Sequence, residues 1–409
     1  MTAEHLPKSR QEAIDRDRAD PLSGRRDDFL GLDGTIYLVG HSLGVVSRQA
    51  LDRLSQAANG DWAGDRVGAW NSAGWIDLNH RVGDRIAALI GAKAGEVLVA
   101  DSVSINLFKL AAATLPLAHA RRLMVETTEF PTDQYIAGGL SDLADVPVDR
   151  LEADAAFDAL ATGGVLIKSA VSYRTGEIAD IAAFERKAAS TGARIVWDLS
   201  HATGLVPLEL REDGARFATG CTYKYLNGGP GAPAFLYVRD DVVDQLVTPL
   251  PGWLGHARPF AFEHDYTPAD GIVRFAAGTP PILSLASLDG ALDVFDGLDV
   301  SHLLEKSRSL GDLCLARAAS LSLTADVPRD RAKRGGHVSL CHVEGYGIVR
   351  ALKARGIETD FRAPDTVRMG FSPLFLRYVD VWDAMDALSD VLETKAYELP
   401  EFQTRETVT

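Results

Sequence analysis

Short apolar runs alternate with longer amphipathic segments over the middle of the chain. Ala-rich segments with helical spacing follow Ile105 and Ile181 and lie between runs that are typical of buried strands. The strand-like runs lie at 97–99, 123–125, 164–167 and 195–197. Helices that alternate with buried strands indicate a mostly parallel sheet with helices on both faces. We therefore predict a large α/β domain over residues 51–285.

The two ends of the chain show a different pattern. The first 50 residues contain a charged stretch with one short helix, a β-like run at 35–39 and a helix that starts near Ser47. Beyond Leu285 the pattern predicts, in order, a long helix through 288–298 and then 303–319, a strand at 338–340, a helix over 346–354, a strand at 366–370 and a helix over 381–392. We predict that an N-terminal arm, residues 1–50, packs with a small α+β domain, residues 286–409.

Charge and cysteine content narrow the range of partners. The chain has 42 basic and 57 acidic residues among 409, which gives a formal net charge of −15 and disfavours binding to nucleic acid or to anionic membranes. Three cysteines form no metal-type spacing, and an odd number of them suggests a reduced, cytoplasmic setting. No apolar run approaches the ~18 residues of a membrane span. We expect a soluble cytoplasmic protein without a metal.

Lys224 lies in an unusual context for a lysine. It follows a small, weakly polar run at 218–221 and is flanked by Tyr223 and Tyr225, and three of the four residues at 228–231 are glycine. Surface lysines are usually found among charged, helix-forming residues. Burial at such a position would lower the pKa of the amine and make it a nucleophile.

A carboxylate upstream gives this lysine a possible partner. The run 195–197 reads as a strand that ends in Asp198, where open α/β sheets bind ligands. Alone, a strand-end Asp is more often a turn or helix-cap residue, and a lone lysine is nearly always solvated. Together they are the pair that pyridoxal phosphate needs: a lysine for its aldehyde and an acid that keeps its ring nitrogen protonated.

Six segments, in order along the chain, resemble motifs of the fold-type-I pyridoxal-phosphate enzymes and, within them, of the kynureninase family. They are 101–109 with Asp101-Ser102-Val103-Ser104, 130–135 with Phe130-Pro131-Thr132-Asp133, 198–201 with Asp198-Leu199-Ser200-His201, 223–227 with Tyr223-Lys224-Tyr225-Leu226-Asn227, 252–256 with Gly252-Trp253-Leu254-Gly255-His256, and 278–282 with Gly278-Thr279-Pro280-Pro281-Ile282. The resemblance extends from about position 37 to about 390. It implies the transferase-like fold of that class, with a mostly parallel seven-stranded sheet flanked by helices.

The resemblance also implies the residues that bind the cofactor. The Val103 amide and the Ser104 hydroxyl would bind the phosphate at a helix start, which is an anion site by capping and by dipole. Phe130 would stack on the pyridine ring, and Asp133 would support its nitrogen side beside Asp198. The remaining implied contacts are Ser169, His201, Tyr223, Lys224, Trp253 and Thr279. Lys224 and Tyr223 would also carry proton transfers.

The implied reaction is hydrolysis of L-kynurenine, or of 3-hydroxykynurenine, to an anthranilate and L-alanine in tryptophan catabolism. Arg368 would bind the substrate α-carboxylate through its planar fork, although an Arg in a strand is usually exposed. Family members complete the phosphate site with residues like Trp253 and Thr279 from a neighbouring subunit, which implies a homodimer. Thr279 replaces an asparagine of vertebrate-type enzymes, which favours plain kynurenine. Whether the pathway serves degradation or nicotinamide (NAD) synthesis stays open.

Three other functions remain open from the sequence, and one of them is a cofactor-binding protein without catalysis. Gly40-His41-Ser42-Leu43-Gly44 satisfies the G-x-S-x-G pattern of serine hydrolases, but only about 40 mostly charged residues precede it. In the kynureninase family this segment usually reads Gly-Asn-Ser-Leu-Gly and borders the substrate site, so that Ser42 and His41 become candidate substrate-binding residues. The third alternative is a different fold-type-I reaction, a class V aminotransferase or a desulfurase. A desulfurase needs a mobile nucleophilic cysteine, and Cys221, Cys314 and Cys341 lie in ordered contexts.

Overall fold

The computed structural model describes residues 6–406, which form two compact units. The central unit comprises Ala50–Tyr173 and Ala179–Leu292, and the terminal unit comprises the residues through Gln49, Arg174–Ile178 and the residues from Asp293 onward. The first five residues of the predicted arm and the last three of the predicted small domain lie outside the described residues. The domain boundaries predicted at 50/51 and 285/286 stay a prediction.

Strands and helices are numbered here in chain order within the described residues. The strands are β1 Ile36–Tyr37, β2 Val97–Val99, β3 Leu123–Glu126, β4 Val148–Leu151, β5 Val165–Ser169, β6 Arg194–Asp198, β7 Phe217–Gly220, β8 Phe235–Val238, β9 Thr324–Ala325, β10 His337–Cys341, β11 Ile357–Glu358, β12 Asp360–Arg362 and β13 Thr366–Gly370. The helices are α1 Arg10–Arg18, α2 Arg48–Ser55, α3 Ala63–Asp65, α4 Ala69–Ser72, α5 Leu78–Leu89, α6 Val103–Thr114, α7 Pro131–Ala144, α8 Ala156–Ala159, α9 Ile181–Thr191, α10 Ile282–Leu292, α11 Val300–Ser320, α12 Gly345–Lys353, α13 Tyr378–Glu393 and α14 Pro400–Gln403.

A seven-stranded sheet forms the middle of the central unit, in the order β2-β8-β7-β6-β5-β3-β4. Neighbouring strands from β7 to β4 pair in parallel, whereas β8 is antiparallel to both β2 and β7. The apolar residues of these strands are buried together with the inward faces of α6 and α7. The predicted α/β fold with a mostly parallel seven-stranded sheet is therefore confirmed.

The terminal unit contains an antiparallel sheet in the order β12-β13-β10-β9, and β1 pairs with β11 in parallel. Helix α1 packs against α13, where the Asp17 carboxylate accepts hydrogen bonds from the backbone amides of Tyr378 and Val379 at 2.6 and 3.0 Å. The helix predicted through 288–298 is wrong beyond Leu292. There the chain makes a 3₁₀ turn, and Gly297 adopts a φ of +73°, which ends helical geometry before Asp299 caps α11.

Candidate active site

Two neighbouring parallel strands end in polar side chains at the same edge of the central sheet. Asp198 is the last residue of β6, Ser169 is the last residue of β5, and the two are register partners. The exit of parallel strands is the place where open α/β sheets bind ligands. The apolar run of β6 thus places the Asp198 carboxylate at a ligand-binding edge, where the sequence pattern predicted it.

Hydrogen bonds within the loop between β7 and β8 fix the position of Lys224. The Thr222 hydroxyl donates to the Pro233 carbonyl at 2.7 Å, and the Gly228 amide donates to the Thr222 carbonyl at 2.9 Å. The Asn227 amide donates to the Lys224 carbonyl at 2.9 Å, while Asn227 itself has a φ of +56°. Because both Thr222 and Asn227 are buried, the loop presents the half-buried Lys224 from a rigid support.

A pocket of about 210 Å³ gathers nine of the predicted cofactor residues in the central unit. Those nine are Val103, Ser104, Phe130, Asp133, Ser169, Asp198, His201, Tyr223 and Lys224. Their segments are far apart in sequence, so the fold itself assembles them. Trp253 and Thr279, the other two predicted residues, are exposed and do not line this pocket.

Asp198 is a buried carboxylate that experiences the positive charge of Lys224. Burial raises its pKa, and the positive charge of Lys224 together with hydrogen bonds from Ser200 opposes that shift. The Ser200 amide donates to Asp198 Oδ1 at 2.8 Å. Both interactions favour the ionised form of Asp198 against the cost of burial.

Asp133 lies in the first turn of α7 and is fully buried. Burial, and next the negative charge of Asp198, raise its pKa well above the usual range, whereas Lys224 and the Ser169 hydroxyl lower it. When two carboxylates share a low-dielectric site, one of them takes up a proton. Since Ser200 and Lys224 favour ionised Asp198, burial and the charge of Asp198 favour the protonated form of Asp133.

The amino end of α6 forms a candidate anion site in the same pocket. Ser102 caps this helix, and its hydroxyl accepts a hydrogen bond from the Ile105 amide at 3.4 Å. The amides of Val103 and Ser104 belong to the first turn of a 12-residue helix, where N–H groups have no partner within the helix. Backbone amides, a serine hydroxyl and the helix dipole together favour a phosphate group here.

Aromatic side chains border the pocket. Phe130 is 43% exposed and meets Tyr173 edge-to-face, with 5.3 Å between the ring centroids. The Lys224 ammonium nitrogen lies 6.0 Å from the centroid of the Tyr223 ring. Burial raises the pKa of the Tyr223 phenol, so that the phenol keeps its proton at neutral pH. A protonated phenol can donate a hydrogen bond to a group in the pocket.

Thr132, Tyr173, Ser200 and Cys221 are among the residues that line this pocket and that sequence reasoning did not assign to the site. Ser200 had a detectable signal, because an Asp two residues before a Ser at a strand end is typical of an Asx turn, in which the Asp side chain accepts the Ser amide. The Ser200 hydroxyl in turn accepts a hydrogen bond from the Cys221 amide at 3.2 Å. It thereby ties the Asp198 turn to the segment that leads to Lys224.

The candidate substrate-binding residues His41, Ser42 and Arg368 belong to the terminal unit. Arg368 lies on β13 and is 2% exposed, although an arginine in a strand is usually exposed. Its guanidinium pairs with Asp360, a residue that sequence reasoning did not single out. His41 is fully buried, and Ser42 is partly exposed.

The segment around Ser42 does not have the geometry of a hydrolase elbow. That motif needs a strained strand-to-helix turn with the serine at its apex. Ser42 is not among the described residues with positive φ, and α2 begins only at Arg48. Cys221 and Cys314 are buried and Cys341 lies on β10, so a mobile nucleophilic cysteine has no counterpart among the described residues.

Comparison with known proteins gives consistent relatives over nearly the whole chain. The family model described as kynureninase C-terminal domain matches residues 303–388. Kynureninase from Pseudomonas fluorescens is 42% identical over 98% of this chain and 100% of its own length. Kynureninase from Burkholderia pseudomallei strain 1106a is 43% identical with the same coverage.

Solved structures with the same fold have much lower identity. A cysteine desulfurase from Thermococcus onnurineus NA1 superimposes with a TM-score of 0.77 at 17% identity, over 92% of this chain and 98% of its own. A mutant of C-DES, with glycine covalently linked to its PLP cofactor, has a TM-score of 0.78 at 15% identity, over 89% and 99%. These likenesses establish the fold alone. Within residues 6–406, no helix has the length and apolar character needed to cross a membrane.

Proposed function

We propose that this chain, which belongs to the kynureninase family, hydrolyses L-kynurenine to anthranilate and L-alanine with pyridoxal phosphate as its cofactor. The observation that carries the proposal is that Lys224 and the buried Asp198 carboxylate line one pocket. Among related reactions, the 42–43% identity to kynureninases over nearly the full length favours this one above transamination or desulfuration.

The pocket has the chemical groups that this cofactor requires. Lys224 supplies an amine for the aldehyde, and Asp198 supplies a buried negative charge for the ring nitrogen. The amides at the start of α6 supply a phosphate site, and the half-exposed Phe130 supplies a flat apolar surface for the ring. Pyridoxal phosphate, when bound, supplies an electron sink that stabilises negative charge at the substrate α-carbon. Ser169 and His201 complete the proposed contacts.

Lys224 and Tyr223 are the proposed proton-transfer residues. Lys224 would hold the cofactor through Nζ, and the same amine, once free, would take the α-proton of the substrate. Water adds its hydroxyl to the γ-carbon as the Cβ–Cγ bond breaks, which releases anthranilate. The β-carbon of the alanine fragment then needs a proton, and Tyr223, whose pKa is raised by burial, is protonated and able to give it.

Arg368 is the proposed ligand of the substrate α-carboxylate, because its fork matches a carboxylate in two parallel hydrogen bonds. Ser42 and His41 are proposed to border the substrate. His41 stands where the family usually has asparagine. Plain kynurenine is the proposed preferred substrate, because Thr279 replaces an asparagine of vertebrate-type enzymes.

The proposed active form is a homodimer in which Trp253 and Thr279 complete the partner's cofactor site. Both residues are exposed, and neither lines the pocket of its own chain. The three free cysteines fit a reducing compartment, and we propose a cytoplasmic location in tryptophan catabolism.

A turnover assay tests the proposed function. Cofactor-loaded protein is given kynurenine and 3-hydroxykynurenine in parallel, and release of anthranilate and of 3-hydroxyanthranilate is followed by fluorescence. We expect faster turnover of kynurenine. Lys224→Ala should abolish the absorbance band of lysine-bound cofactor and lower the rate by at least about 10²-fold, because it removes both the tether and the base.

Ser42→Ala is the control for the cofactor readout, since the serine-hydrolase alternative alone assigns a nucleophile to Ser42. It should retain the absorbance band. Formation of a keto acid instead of alanine would favour an aminotransferase. If cofactor-loaded protein turned over neither substrate, the fold would stand and the proposed activity would be overturned.

A further inference from the structure

A buried ion pair joins two neighbouring strands of the terminal unit. Asp360 on β12 and Arg368 on β13 are register partners. Arg368 Nε donates to Asp360 Oδ1 at 2.9 Å, and Nη2 donates to Oδ2 at 2.6 Å. The two residues are 3% and 2% exposed. Burying two charges is costly unless their geometry is good, and a bidentate pair of this kind meets that condition.

Further groups converge on the same carboxylate. Arg362 Nη2 lies 3.0 Å from Asp360 Oδ2, and His41 Nε2 lies 3.8 Å from it. The fully buried His41 ring stacks on His337, with centroids 5.2 Å apart and planes 17° from parallel. A Cβ at Gly370 would lie 1.9 Å from His41 Nδ1, so that a glycine there leaves the space that the histidine fills. The packing around Asp360 leaves its carboxylate little freedom to rotate.

The two hydrogen bonds that Asp360 accepts also fix the plane of the Arg368 guanidinium. They occupy the edge that carries Nε and Nη2. A long side chain that is held by a second carboxylate loses rotamer freedom before the ligand arrives, which lowers the entropic cost of binding.

We propose that Asp360 is a positioning residue for substrate binding, because its two hydrogen bonds hold the Arg368 guanidinium in the orientation in which it binds the substrate α-carboxylate. The inference rests on the proposed function, in which Arg368 binds that carboxylate. It adds a second residue, which does not itself touch the substrate, to the recognition of amino acids. The packed His41 and His337 rings support the carboxylate from behind.

Asp360→Asn tests this role, because it keeps the shape of the side chain and removes its charge. We expect kcat/KM for kynurenine to fall by about 10²-fold, mainly through KM, since small misplacements of a binding group have effects of that size. The absorbance of the bound cofactor should not change. Asp390→Asn is the matched control: Asp390 pairs with Arg355 Nη2 at 2.7 Å on the exposed surface, and its loss should change kcat/KM by less than about fivefold.

Two ligands that differ only in the carboxylate distinguish a loss of Arg368 positioning from general damage to the fold. L-alanine carries the α-carboxylate and L-alaninamide does not, and both are titrated by the change in cofactor absorbance. Asp360→Asn should weaken L-alanine binding and leave L-alaninamide binding unchanged. In an Arg368→Gln background the same substitution should cause no further loss, because Asp360 acts through Arg368.

Equal weakening of both ligands, an undiminished loss in the Arg368→Gln background, or an unchanged KM would each overturn the inference. If the Asn variant does not fold, Asp360→Glu applies the same tests, because it keeps the charge but displaces the carboxylate by one methylene. Failure of the proposed function would appear differently, as wild-type protein that does not cleave kynurenine. The alanine and alaninamide titrations would still test Asp360 in that case.

Discussion

The Glu185 carboxylate is buried beside the strand that ends in Asp198. It accepts a hydrogen bond from Trp197 Nε1 at 2.8 Å, and Trp197 is the residue before Asp198. Burial raises the pKa of Glu185 to about 7. The hydrogen bond from Trp197 and the charges of nearby arginines lower the pKa but do not cancel the effect of burial. The folded protein therefore binds a proton at Glu185 more tightly than the unfolded chain does.

Glu185→Gln should stabilise the protein at high pH and have little effect at low pH. An acid whose pKa is raised in the folded state does not destabilise the fold at pH values below its unfolded pKa of 4.5. Between pH 4.5 and about 7 it destabilises the folded state increasingly. Glutamine resembles the neutral acid and can still accept from Trp197. We expect a gain of up to about 3 kcal/mol at pH 8 and close to none at pH 4.5.

Urea unfolding of both proteins at the two pH values measures this difference. Glu152→Gln, which replaces an exposed glutamate, is the control and should change stability little at either pH. An equal effect of Glu185→Gln at both pH values would show that the pKa of Glu185 is the same in the folded and unfolded protein, contrary to the prediction.

At the scale of single elements, close packing explains why α5 contains a glycine. Gly83 is buried in this helix, and a Cβ there would lie 2.3 Å from the carbonyl oxygen of Val97 on β2. Gly139 in α7 is exposed, and a Cβ there would have nothing within 4 Å. The two positions share a helical context and differ in the space available for a methyl group.

Gly83→Ala should destabilise the protein, whereas Gly139→Ala should stabilise it. Alanine gains up to about 1 kcal/mol over glycine inside a helix. At Gly83 the clash with a backbone carbonyl forces the helix away from the strand and outweighs that gain, for a net loss of about 1–3 kcal/mol. Thermal and urea unfolding of both variants check the opposite signs. Equal stabilisation by both substitutions would mean that α5 moves at no cost.

The same close packing explains which strands could be predicted from sequence. Strand β6 was predictable because Ile195, Val196 and Trp197 are strong β-formers. Strand β7 was missed because Ala218, Thr219 and Gly220 resemble a loop. A Cβ at Gly220 would lie 2.8 Å from the Phe235 ring, so packing against β8 selects a small residue where β propensity would not.

The site shows the same division between local and long-range signals. Lys224 and Asp198 could be recognised because their residue types and flanking segments are unusual by themselves. Asp360 could not, since its importance depends on strand pairing with Arg368, and an Asp at a strand start is otherwise unremarkable. An unusual residue in an unusual segment can be recognised from the sequence. A contact between two distant segments can be recognised only from the folded structure.

At the scale of the whole molecule, fold and activity separate clearly. The chain shares its fold with cysteine desulfurases at a TM-score of 0.77, but its identity to that structure is 17%. Its identity to kynureninases is 42–43%. The same scaffold therefore supports different chemistry, and the proposed activity depends on site residues rather than on architecture.

Mixing two inactive variants tests whether one chain forms a complete active site by itself. If Trp253 completes the partner's site, Lys224→Ala and Trp253→Ala chains should each have little activity as homodimers. A mixed dimer would then contain one site with both wild-type residues and one site with neither. Random mixing makes half of the dimers mixed, so activity should recover to about a quarter of wild type. Trp253 is 43% exposed in the single chain, which leaves its side chain accessible to a partner.

Coexpression of the two chains with different affinity tags, followed by tandem purification, isolates the mixed dimers. Lys224→Ala mixed with wild type is the reference for one working site in two. No recovery in the doubly purified dimers would mean that each chain uses its own Trp253, because every site would then carry one substitution. Recovery near half of the wild-type rate per purified dimer is expected, since a site shared across a two-fold axis takes its lysine from one chain and its indole from the other.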